Sequence, residues 1–360
     1  MLTEQRIFHN LEVISAFKNK TALADVLKNY TGWGGLRDEV YVPSVYQELK
    51  KSLSVEEITS LKQTLKSAYY TPAFLVQFIY DWLSIYGFKG GAILEPAVGH
   101  GAFIENMPKS IREQSTITTI EKDRLTSDIV QTLYPDLNHY TMGFEEYYTQ
   151  DSFDLIVGNP PYGSQIVEDK HHADLQHHCI HHYFVAKCMR LLKEGGILAM
   201  VLPSFFLDNI RDHVRYIIHR EGGSLLAAYR LPDDIFSGAK ITIDIVFLTK
   251  GRAKNKWLKT RDITIGSMTK PINEYFHYNS HHLLGNLEII SIYERKGLVC
   301  KRRGDIHQLF AQALKDKVQT RLSKLSSSLL GIEQAMEELK AKKQQLLSSY
   351  EVMLGLARFL

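Results

Sequence analysis

The sequence predicts an α/β fold: a parallel β-sheet with helices on both faces, a helical N-terminal extension and a long C-terminal helix. Three observations support this class. Short β-rich runs alternate with helical stretches from residue 91 to about residue 250. Residues 1–66 are amphipathic with helical spacing, and a continuous helical pattern runs from about residue 306 to the end. Alternating strands and helices are typical of a parallel sheet that is covered on both faces.

The N-terminal extension, residues 1–66, is interrupted by a glycine-rich break. Residues 30–36 read Tyr-Thr-Gly-Trp-Gly-Gly-Leu, a composition that predicts a loop. Ser54 and Glu57 then have the spacing of a capping box, which predicts the start of a short helix. Thr71 and Pro72 predict the start of another helix, because proline suits the first helical turn.

The central segment, residues 67–250, contains the predicted sheet. Six β-rich runs have the length of strands and are separated by helical stretches. They cover residues 92–94, 117–120, 153–157, 197–202, 225–229 and 241–248. We therefore expect one α/β domain in this segment, with any ligand site at the ends of its strands.

The C-terminal part divides into a small basic region, residues 251–305, in which the strand signal fades, and a long helix, residues 306–360. Apolar residues of the helix alternate in spacings of three and four, as in heptad packing. They are Leu322, Leu325, Leu329, Ile332, Met336, Leu339, Leu346, Tyr350, Met353, Ala357 and Leu360, and Lys343 is the only polar residue on this seam. This seam predicts self-association or a protein partner, and a helix laid across its own domain is the alternative.

Composition excludes several classes of protein. The chain has 360 residues, 44% hydrophobic and 23% charged, which is the balance of a globular chain rather than a disordered one. No apolar run approaches the roughly 20 residues that span a bilayer. The N-terminus has no leader pattern, and the three cysteines have no paired spacing. We expect a reduced, cytoplasmic protein with no membrane partner.

Charge is distributed unevenly along the chain. Residues 250–360 contain 20 Lys and Arg against 10 Asp and Glu, a net charge of +10, whereas the 23 basic and 30 acidic residues upstream give −7. A basic C-terminal part suggests nucleic acid as a partner, although an acidic protein partner would give the same sign. Residues 250–261 and 301–303 are candidate phosphate contacts.

A glycine loop follows the first predicted strand. Glu95 ends this strand, and Pro96, Gly99 and Gly101 come directly after it. Two glycines separated by one residue let the backbone approach a ligand at the carboxyl end of a strand, where open α/β sheets bind cofactors. Neither a third glycine nor a Walker lysine follows, so an amino-acid-bearing nucleoside fits better than a nucleotide phosphate. Glu121 ends the next strand, where a carboxylate can accept both ribose hydroxyls.

The run at 153–157 leads directly into Asn159, Pro160, Pro161 and Tyr162. The two prolines remove two backbone donors, so carbonyl groups of this turn face outward as acceptors beside the Asn159 amide oxygen. That arrangement suits an amino group. Accepting the N–H bonds of an aromatic exocyclic amine at Asn159 and at the Pro160 carbonyl would expose the lone pair of its nitrogen, and Tyr162 would stack on the ring.

These motifs resemble those of class I, S-adenosylmethionine-dependent amino methyltransferases. Residues 159–162 are similar to motif IV of that class, and residues 95–103 to motif I, with Glu95 in place of the commoner Asp. Residues 68–72, Ala-Tyr-Tyr-Thr-Pro, resemble motif X of DNA adenine-N6 methyltransferases in the order X, I, IV, VIII, a segment that protein glutamine methyltransferases lack. Residues 31–36, 286–288 and 293–297 further resemble methylases of conjugative and phage-like mobile elements.

The resemblance implies a Rossmann-like class I methyltransferase sheet and S-adenosyl-L-methionine as cofactor. The usual Gly-Asp-Phe of motif III is Gly-Phe-Glu here, so either Phe144 or Glu145 would contact the cofactor adenine. Residues 236–249 resemble motif VIII, which packs against a flipped base. The implied cofactor-binding residues are Tyr70, Thr71 and Pro72 at the methionine end, Glu95, Pro96, Gly99 and Gly101, Glu121 at the ribose, Phe144, Glu145 and Asn159. The implied catalytic residues are Asn159, Pro160, Pro161 and Tyr162.

The implied reaction is methyl transfer to N6 of adenine in DNA, with the base flipped out of the duplex. An RNA adenine or a protein glutamine presents a similar planar amine, and a methyltransferase-like accessory module that needs a partner subunit is a further alternative. Restriction, anti-restriction and genome marking all stay open as biological roles.

No metal is expected. Residues 171–182 contain six histidines, but no third ligand follows with clear spacing, and Cys179 would point elsewhere on a helix. We expect this stretch to form a surface or DNA-facing helix, with His181, Tyr183 and Phe184 helping to frame the pocket.

Overall fold

The structure of the protein is a computed structural model. It describes residues 3–21, 24–33, 36, 39–64, 71–176, 179–210, 213–236, 240–253, 255–292 and 295–356. The chain falls into two compact units, Met1–Phe310 and Ala311–Leu360.

The described residues form helices and strands in the following order. The helices are α1 (Thr3–Lys18), α2 (Ala24–Leu27), α3 (Pro43–Ser52), α4 (Val55–Thr64), α5 (Ala73–Tyr86), α6 (Ala102–Glu105), α7 (Lys109–Arg112), α8 (Arg124–Leu133), α9 (Ile180–Leu191), α10 (Phe205–Asp208), α11 (Val214–Arg220), α12 (Glu274–Tyr278) and α13 (Ile306–Leu356). The strands are β1 (Ala92–Glu95), β2 (Thr116–Glu121), β3 (Asn138–Thr141), β4 (Phe153–Gly158), β5 (Leu192–Pro203), β6 (Gly223–Leu231), β7 (Ile243–Lys250), β8 (Thr260–Ile265), β9 (Met268–Asn273), β10 (Asn286–Ile292) and β11 (Arg295–Lys301).

Seven strands form the central sheet, in the order β3-β2-β1-β4-β5-β7-β6. Strands β1 to β5 pair in parallel. All six predicted strands are present, and the predicted α/β class is confirmed. Because β1, β2 and β4 are neighbours or next neighbours and run in the same direction, their carboxyl ends lie at one edge of the sheet, where α/β folds hold ligands.

The predicted parallel arrangement holds for β1 to β5 but does not extend to β7. This strand runs antiparallel to both β5 and β6. The reason is the short connection between β6 and β7, residues 232–242, because a parallel crossover needs a dozen or more residues and usually a helix. The strand therefore returns beside β6 in the opposite direction.

The N-terminal helices pack on α8 through a core of their own. Ile7 and Ile14 of α1 and Leu49 of α3 belong to one buried cluster with Leu125 and Ile129 of α8. The predicted capping box is confirmed at α4, where the Glu57 amide donates to Ser54 Oγ (3.2 Å) and the Ser54 amide donates to Glu57 Oε2 (2.7 Å).

The glycine-rich loop at 30–36 is anchored on α1. The Asn10 side chain donates to the Gly32 carbonyl (2.5 Å) and accepts from the Thr31 amide (2.9 Å), and Trp33 is buried beside them. The Tyr30 hydroxyl bonds Thr126 Oγ1 of α8 (3.2 Å). The described part of this motif therefore attaches the extension to the sheet domain.

Helices cover both faces of the central sheet. Trp82 of α5 stacks on Phe247 of β7, with ring centroids 3.8 Å apart. The neighbouring residues Val246 and Leu248 belong to the buried cluster that contains most of α9. Since successive side chains of a strand point to opposite faces, α5 and α9 lie on opposite sides of the sheet.

Residues 251–305 contain more structure than the fading strand signal predicts. Strands β8 and β9 form one antiparallel hairpin, and β10 and β11 form a second. The expectation of little strand in this region is therefore wrong. The side chains of β8 are half-buried or exposed, so the strand has no continuous apolar pattern to detect.

The second unit consists of α13 beyond Phe310. Most of its described side chains are exposed, among them the seam residues Leu322, Leu329, Ile332, Met336 and Leu339. Leu325, Leu346, Tyr350, Met353, Ala357 and Leu360 of the predicted seam lie outside the described side chains. None of the described helices is both long and apolar enough to cross a bilayer.

Candidate active site

A cavity of about 380 Å³ opens at the carboxyl ends of β1, β2 and β4. Its size falls in the range of small-molecule sites, roughly 300–1,000 Å³. Nine of the predicted site residues line it: Thr71, Glu95, Pro96, Gly99, Glu121, Phe144, Glu145, Asn159 and Pro161. Pro72, Gly101, Pro160 and Tyr162 flank it without lining it, and Tyr70 lies outside the described residues.

Glu95 is a buried carboxyl group at the wall of the cavity. It ends β1 and is 1% exposed, and its Oε2 meets no hydrogen-bond donor among the described residues. Burial, with the nearby Glu121 carboxylate, raises the pKa of Glu95 well above its usual range. An unsatisfied buried carboxylate is costly, so this oxygen is suited to a ligand that brings a cationic N–H group into the cavity.

The two glycines of the loop have different roles. Gly99 has φ +54°, and a Cβ built on it would meet no atom within 4 Å, so this backbone faces open space in the cavity. Gly101 has φ +89°, and a Cβ there would lie 2.9 Å from the Tyr134 ring. Gly99 therefore permits close approach of a ligand, whereas Gly101 permits the turn into α6.

Glu121 holds the glycine loop in place. Its Oε2 accepts the Gly99 amide at 2.9 Å, and its Oε1 accepts the Asp123 amide at 2.8 Å. Burial raises the pKa of Glu121 to about 7, although these hydrogen bonds oppose the shift. The side chain lines the cavity, which is compatible with the predicted contact to a ribose.

The N-terminal extension reaches the cavity through Ser60, a residue that sequence reasoning missed. Ser60 of α4 lines the cavity, and its hydroxyl donates to Asp123, which caps α8 by accepting the Thr126 amide. Its sequence neighbourhood carries no ligand motif. Packing of the extension on α8 brings it there, as the hydrophobic cluster of the two segments shows.

Phe144 and Glu145 both line the cavity, so the two alternatives for the adenine contact stay open. Phe144 is buried against Phe184 of α9, with ring centroids 4.8 Å apart. Glu145 forms an ion pair with Lys122 at 2.7 Å. His100, Met142, Gln165, Ile166, Val167, Ile180 and Phe184 complete this part of the wall, and among them only Phe184 was expected near the pocket.

The Asn159 carboxamide is held on both sides. Its Nδ2 donates to Thr71 Oγ1 at 3.1 Å, and its Oδ1 accepts the Tyr162 hydroxyl at 2.5 Å. The same hydroxyl lies 3.0 Å from the Val201 carbonyl oxygen of β5, and Tyr162 is only 5% exposed. Tyr162 therefore orients Asn159, a contact that sequence reasoning did not include.

Within the histidine-rich stretch, residues 171–182, the side chain of Cys179 does not point where the sequence predicted. This residue precedes the first turn of α9, with Sγ 3.5 Å from His181 Nε2, so the prediction that Cys179 points elsewhere is wrong. His181 and His182 are buried rather than on a surface helix. Burial and the neighbouring His182 lower the pKa of His181 to about 3. His177 and His178 lie outside the described residues.

Some of the candidate phosphate contacts form ion pairs or hydrogen bonds within the chain, and others are exposed. Lys301 pairs with Asp233 at 2.6 Å and Arg302 with Asp234 at 2.8 Å, and the Lys250 ammonium donates to the Leu192 carbonyl at 3.0 Å. These three cations are already engaged within the chain.

A second group of cations surrounds an exposed aromatic ring. Lys256 and Arg261 each lie 5.4 Å from the ring centroid of Tyr278, which is 53% exposed. Cations beside an exposed aromatic ring are suited to a nucleic-acid surface.

Residues 49–226 match the family described as Eco57I restriction-modification methylase. Type II methyltransferase M.CvrRI of Paramecium bursaria Chlorella virus XZ-6E is 31% identical over 189 residues, covering 51% of this chain and 48% of that protein. Type II methyltransferase M.TthHB8I of Thermus thermophilus is 28% identical over 181 residues, covering 45% and 40%. Defense against restriction protein B of Escherichia phage P1 is 28% identical over 197 residues, covering 52% and 8%. The chain thus spans less than half the length of these relatives.

Solved structures of methyltransferases are also similar to this chain. The type I restriction-modification methyltransferase subunit from Streptococcus thermophilus has a TM-score of 0.48 and 14% identity, over 85% of this chain and 73% of that one. The type I restriction enzyme EcoKI M protein has a TM-score of 0.40 and 16% identity, over 90% of each chain.

The family match and the Type II methyltransferase relatives confirm the motif-based expectation of a class I, S-adenosylmethionine-dependent methyltransferase domain, whereas they do not test the choice of adenine. Residues 49–226 thus match the Eco57I restriction-modification methylase family over just under half of the chain, and they form a class I methyltransferase domain with S-adenosyl-L-methionine as cofactor.

Proposed function

We propose that the protein methylates N6 of adenine in DNA. The observation that carries this proposal is the Asn159 carboxamide at the cavity wall, fixed between Thr71 and the Tyr162 hydroxyl. A carbonyl-type oxygen has two lone pairs, so Oδ1 can accept a substrate N–H in addition to the Tyr162 hydroxyl. The Pro160 carbonyl would accept the second N–H of the same amine.

The cavity fits the cofactor through the properties of its own residues. When bound, S-adenosylmethionine supplies a methyl group already activated by a sulfonium centre. Glu95 would accept its ammonium group, the open backbone at Gly99 would allow close approach, and Glu121 would accept the ribose hydroxyls. These contacts would orient the donor toward Asn159, and positioning of two reactants can lower a barrier by about 7–11 kcal/mol.

Duplex DNA would have to deliver the adenine by base flipping, since N6 is otherwise inside the stack. Tyr162 would then lie next to the base. Its hydroxyl fixes Asn159, so we propose two functions for this residue: orientation of the amide and packing of its ring on the base. Exposed cations at Lys256 and Arg261 would contact the phosphate backbone.

The decisive experiment compares substrates and variants. Purified protein is incubated with radiolabelled S-adenosylmethionine and unmethylated duplex DNA, single-stranded DNA, RNA or a glutamine-containing protein, and the products are hydrolysed and identified. We expect N6-methyladenine in DNA. Label only in RNA or in glutamine would overturn the choice of substrate. Absence of transfer despite cofactor binding would favour the accessory-module alternative.

Three variants then test the site. Asn159→Ala should abolish transfer while the Kd for the cofactor changes only a few-fold, because the amide contacts the substrate amine. Tyr162→Phe keeps the ring and removes one hydrogen bond worth about 0.5–1.5 kcal/mol, so transfer should slow by roughly 2- to 12-fold. Tyr162→Ala removes the ring as well and should slow transfer further. Full activity in Asn159→Ala would refute the proposed site.

We also propose that α13 associates with a second copy of the chain through its apolar seam. The five described seam residues are between 54% and 66% exposed and recur at heptad spacing. Light scattering over a range of concentrations should show a dimer. Leu329→Glu with Ile332→Glu should give a monomer, and the off-seam control Gln334→Glu should not. A monomer at every concentration would instead favour a different protein partner.

A further inference from the structure

We propose that Cys179, His181 and His182 bind one divalent transition metal with the chemistry of zinc, next to the catalytic turn. Each residue offers one ligand atom, and the three atoms lie within 4.8 Å of one another. Thiolate and imidazole ligands together select zinc-like ions over magnesium or calcium. The proposal concerns residues that the methyl-transfer reaction does not use.

The distances are close to those of a bound ion. With Zn–S of about 2.3 Å and Zn–N of about 2.0–2.1 Å, tetrahedral geometry separates sulfur from nitrogen by about 3.5 Å and nitrogen from nitrogen by about 3.4 Å. Cys179 Sγ and His181 Nε2 are 3.5 Å apart. The widest separation in the group must close by about 1.4 Å, which rotation of a side chain can supply.

The backbone explains why residues so close in sequence converge. Cys179 has φ −62° and ψ 152°, so it is extended and precedes the helix, whereas His181 and His182 lie in the first turn of α9. The extended residue turns its side chain back toward that turn. Both histidines are buried, at 1% and 5% exposure, and Cys179 is half-buried, so the group is accessible from the cysteine side.

The position of the group suggests what the metal does. The His181 ring makes an edge-to-face contact with Phe205 at 4.8 Å and lies 6.5 Å from the Tyr162 ring. A metal would therefore fix His181 beside the residue that orients Asn159. Three protein ligands leave a fourth coordination position for water or another small ligand.

Metal binding can be measured on the full-length protein without a histidine tag. Metal analysis after dialysis and a zinc titration against a chromogenic chelator should give one ion per chain. Cobalt should give a thiolate-to-metal charge-transfer band and the visible absorption of tetrahedral coordination, and zinc should raise the thermal unfolding midpoint.

Variants separate this site from adventitious binding. Cys179→Ser should abolish the charge-transfer band and weaken binding more than about 100-fold, since even outer partners of a metal ligand are worth about 10–100-fold. His182→Gln should weaken binding similarly. The control His177→Gln with His178→Gln should keep the band and the affinity. The proposal is overturned if no equimolar ion binds at micromolar zinc, if cobalt shows no thiolate band, or if only the control variant loses binding.

Discussion

Lys187 and Asp169 form a buried ion pair that joins the loop after the catalytic turn, α9 and the wall of the cavity. The Lys187 ammonium lies 2.7 Å from Asp169 Oδ2 and also donates to the carbonyls of Phe144 (2.6 Å) and Tyr147 (2.9 Å). The two side chains are 1% and 0% exposed. Burial lowers the pKa of Lys187, and Asp169 opposes this shift. Three acceptors satisfy the three N–H bonds of the ammonium group.

We expect Lys187→Met to lower the free energy of unfolding by about 3 kcal/mol. Removing one partner of a buried ion pair costs about 3–5 kcal/mol, because the other charge is left without compensation. The lower end applies here, since Asp169 keeps the Tyr183 hydroxyl at 2.6 Å and the backbone amides of His171 and His172. The carbonyls of Phe144 and Tyr147 also lose a donor, so the expected loss of free energy stays at about 3 kcal/mol.

Urea denaturation followed by tryptophan fluorescence measures this difference. The matched control is Lys51→Met, which removes an exposed partner of Glu48 with 68% of the lysine side chain accessible, and should change the free energy by less than about 0.5 kcal/mol. A loss below about 1 kcal/mol for Lys187→Met would refute the reasoning. The variant should also weaken cofactor binding, because Lys187 holds the backbone of Phe144, a residue of the cavity wall.

Further expectations concern the cofactor and DNA. Burial raises the pKa of Glu95 well above its usual range and that of Glu121 to about 7, and a cationic ligand prefers ionised carboxylates. Affinity for S-adenosylmethionine should therefore rise between pH 6 and pH 8, with proton release in calorimetry, and Glu121→Gln should flatten this dependence. Lys256→Gln and Arg261→Gln should each weaken DNA binding and reduce the slope of log affinity against log salt by about 1, and an unchanged slope would exclude a phosphate contact.

The central strands could be predicted because their apolar runs are longer and more continuous than their surroundings. Strand β3 was missed for the opposite reason: its residues, Asn-His-Tyr-Thr at 138–141, are polar and largely exposed at the edge of the sheet. The hairpins after residue 251 were missed because their strands carry half-exposed side chains. The reversed direction of β7 follows from the length of the connection at 232–242, information that a run of apolar residues does not contain.

Nine residues of the cavity wall could be predicted because parallel strands bring their carboxyl ends to one edge, so Glu95, Glu121 and Asn159 had to be neighbours. The position of Ser60 could not be predicted from the sequence, because it depends on how the N-terminal extension packs on α8. The hydrogen bond from the Tyr162 hydroxyl to Asn159 could not be predicted either, since a four-residue motif does not specify which side chains are in contact.

The position of Cys179 shows where a rule based on helical spacing fails. Residues two apart on a helix lie on different faces, and this spacing separates Cys179 from His181 in sequence reasoning. The rule applies only once both residues have helical dihedral angles, and Cys179 is extended at ψ 152°. A side chain just before the first turn can therefore approach side chains within that turn, as the 3.5 Å between Sγ and Nε2 demonstrates. Ligand groups at the start of a helix are thus excluded too readily when spacing is the only criterion.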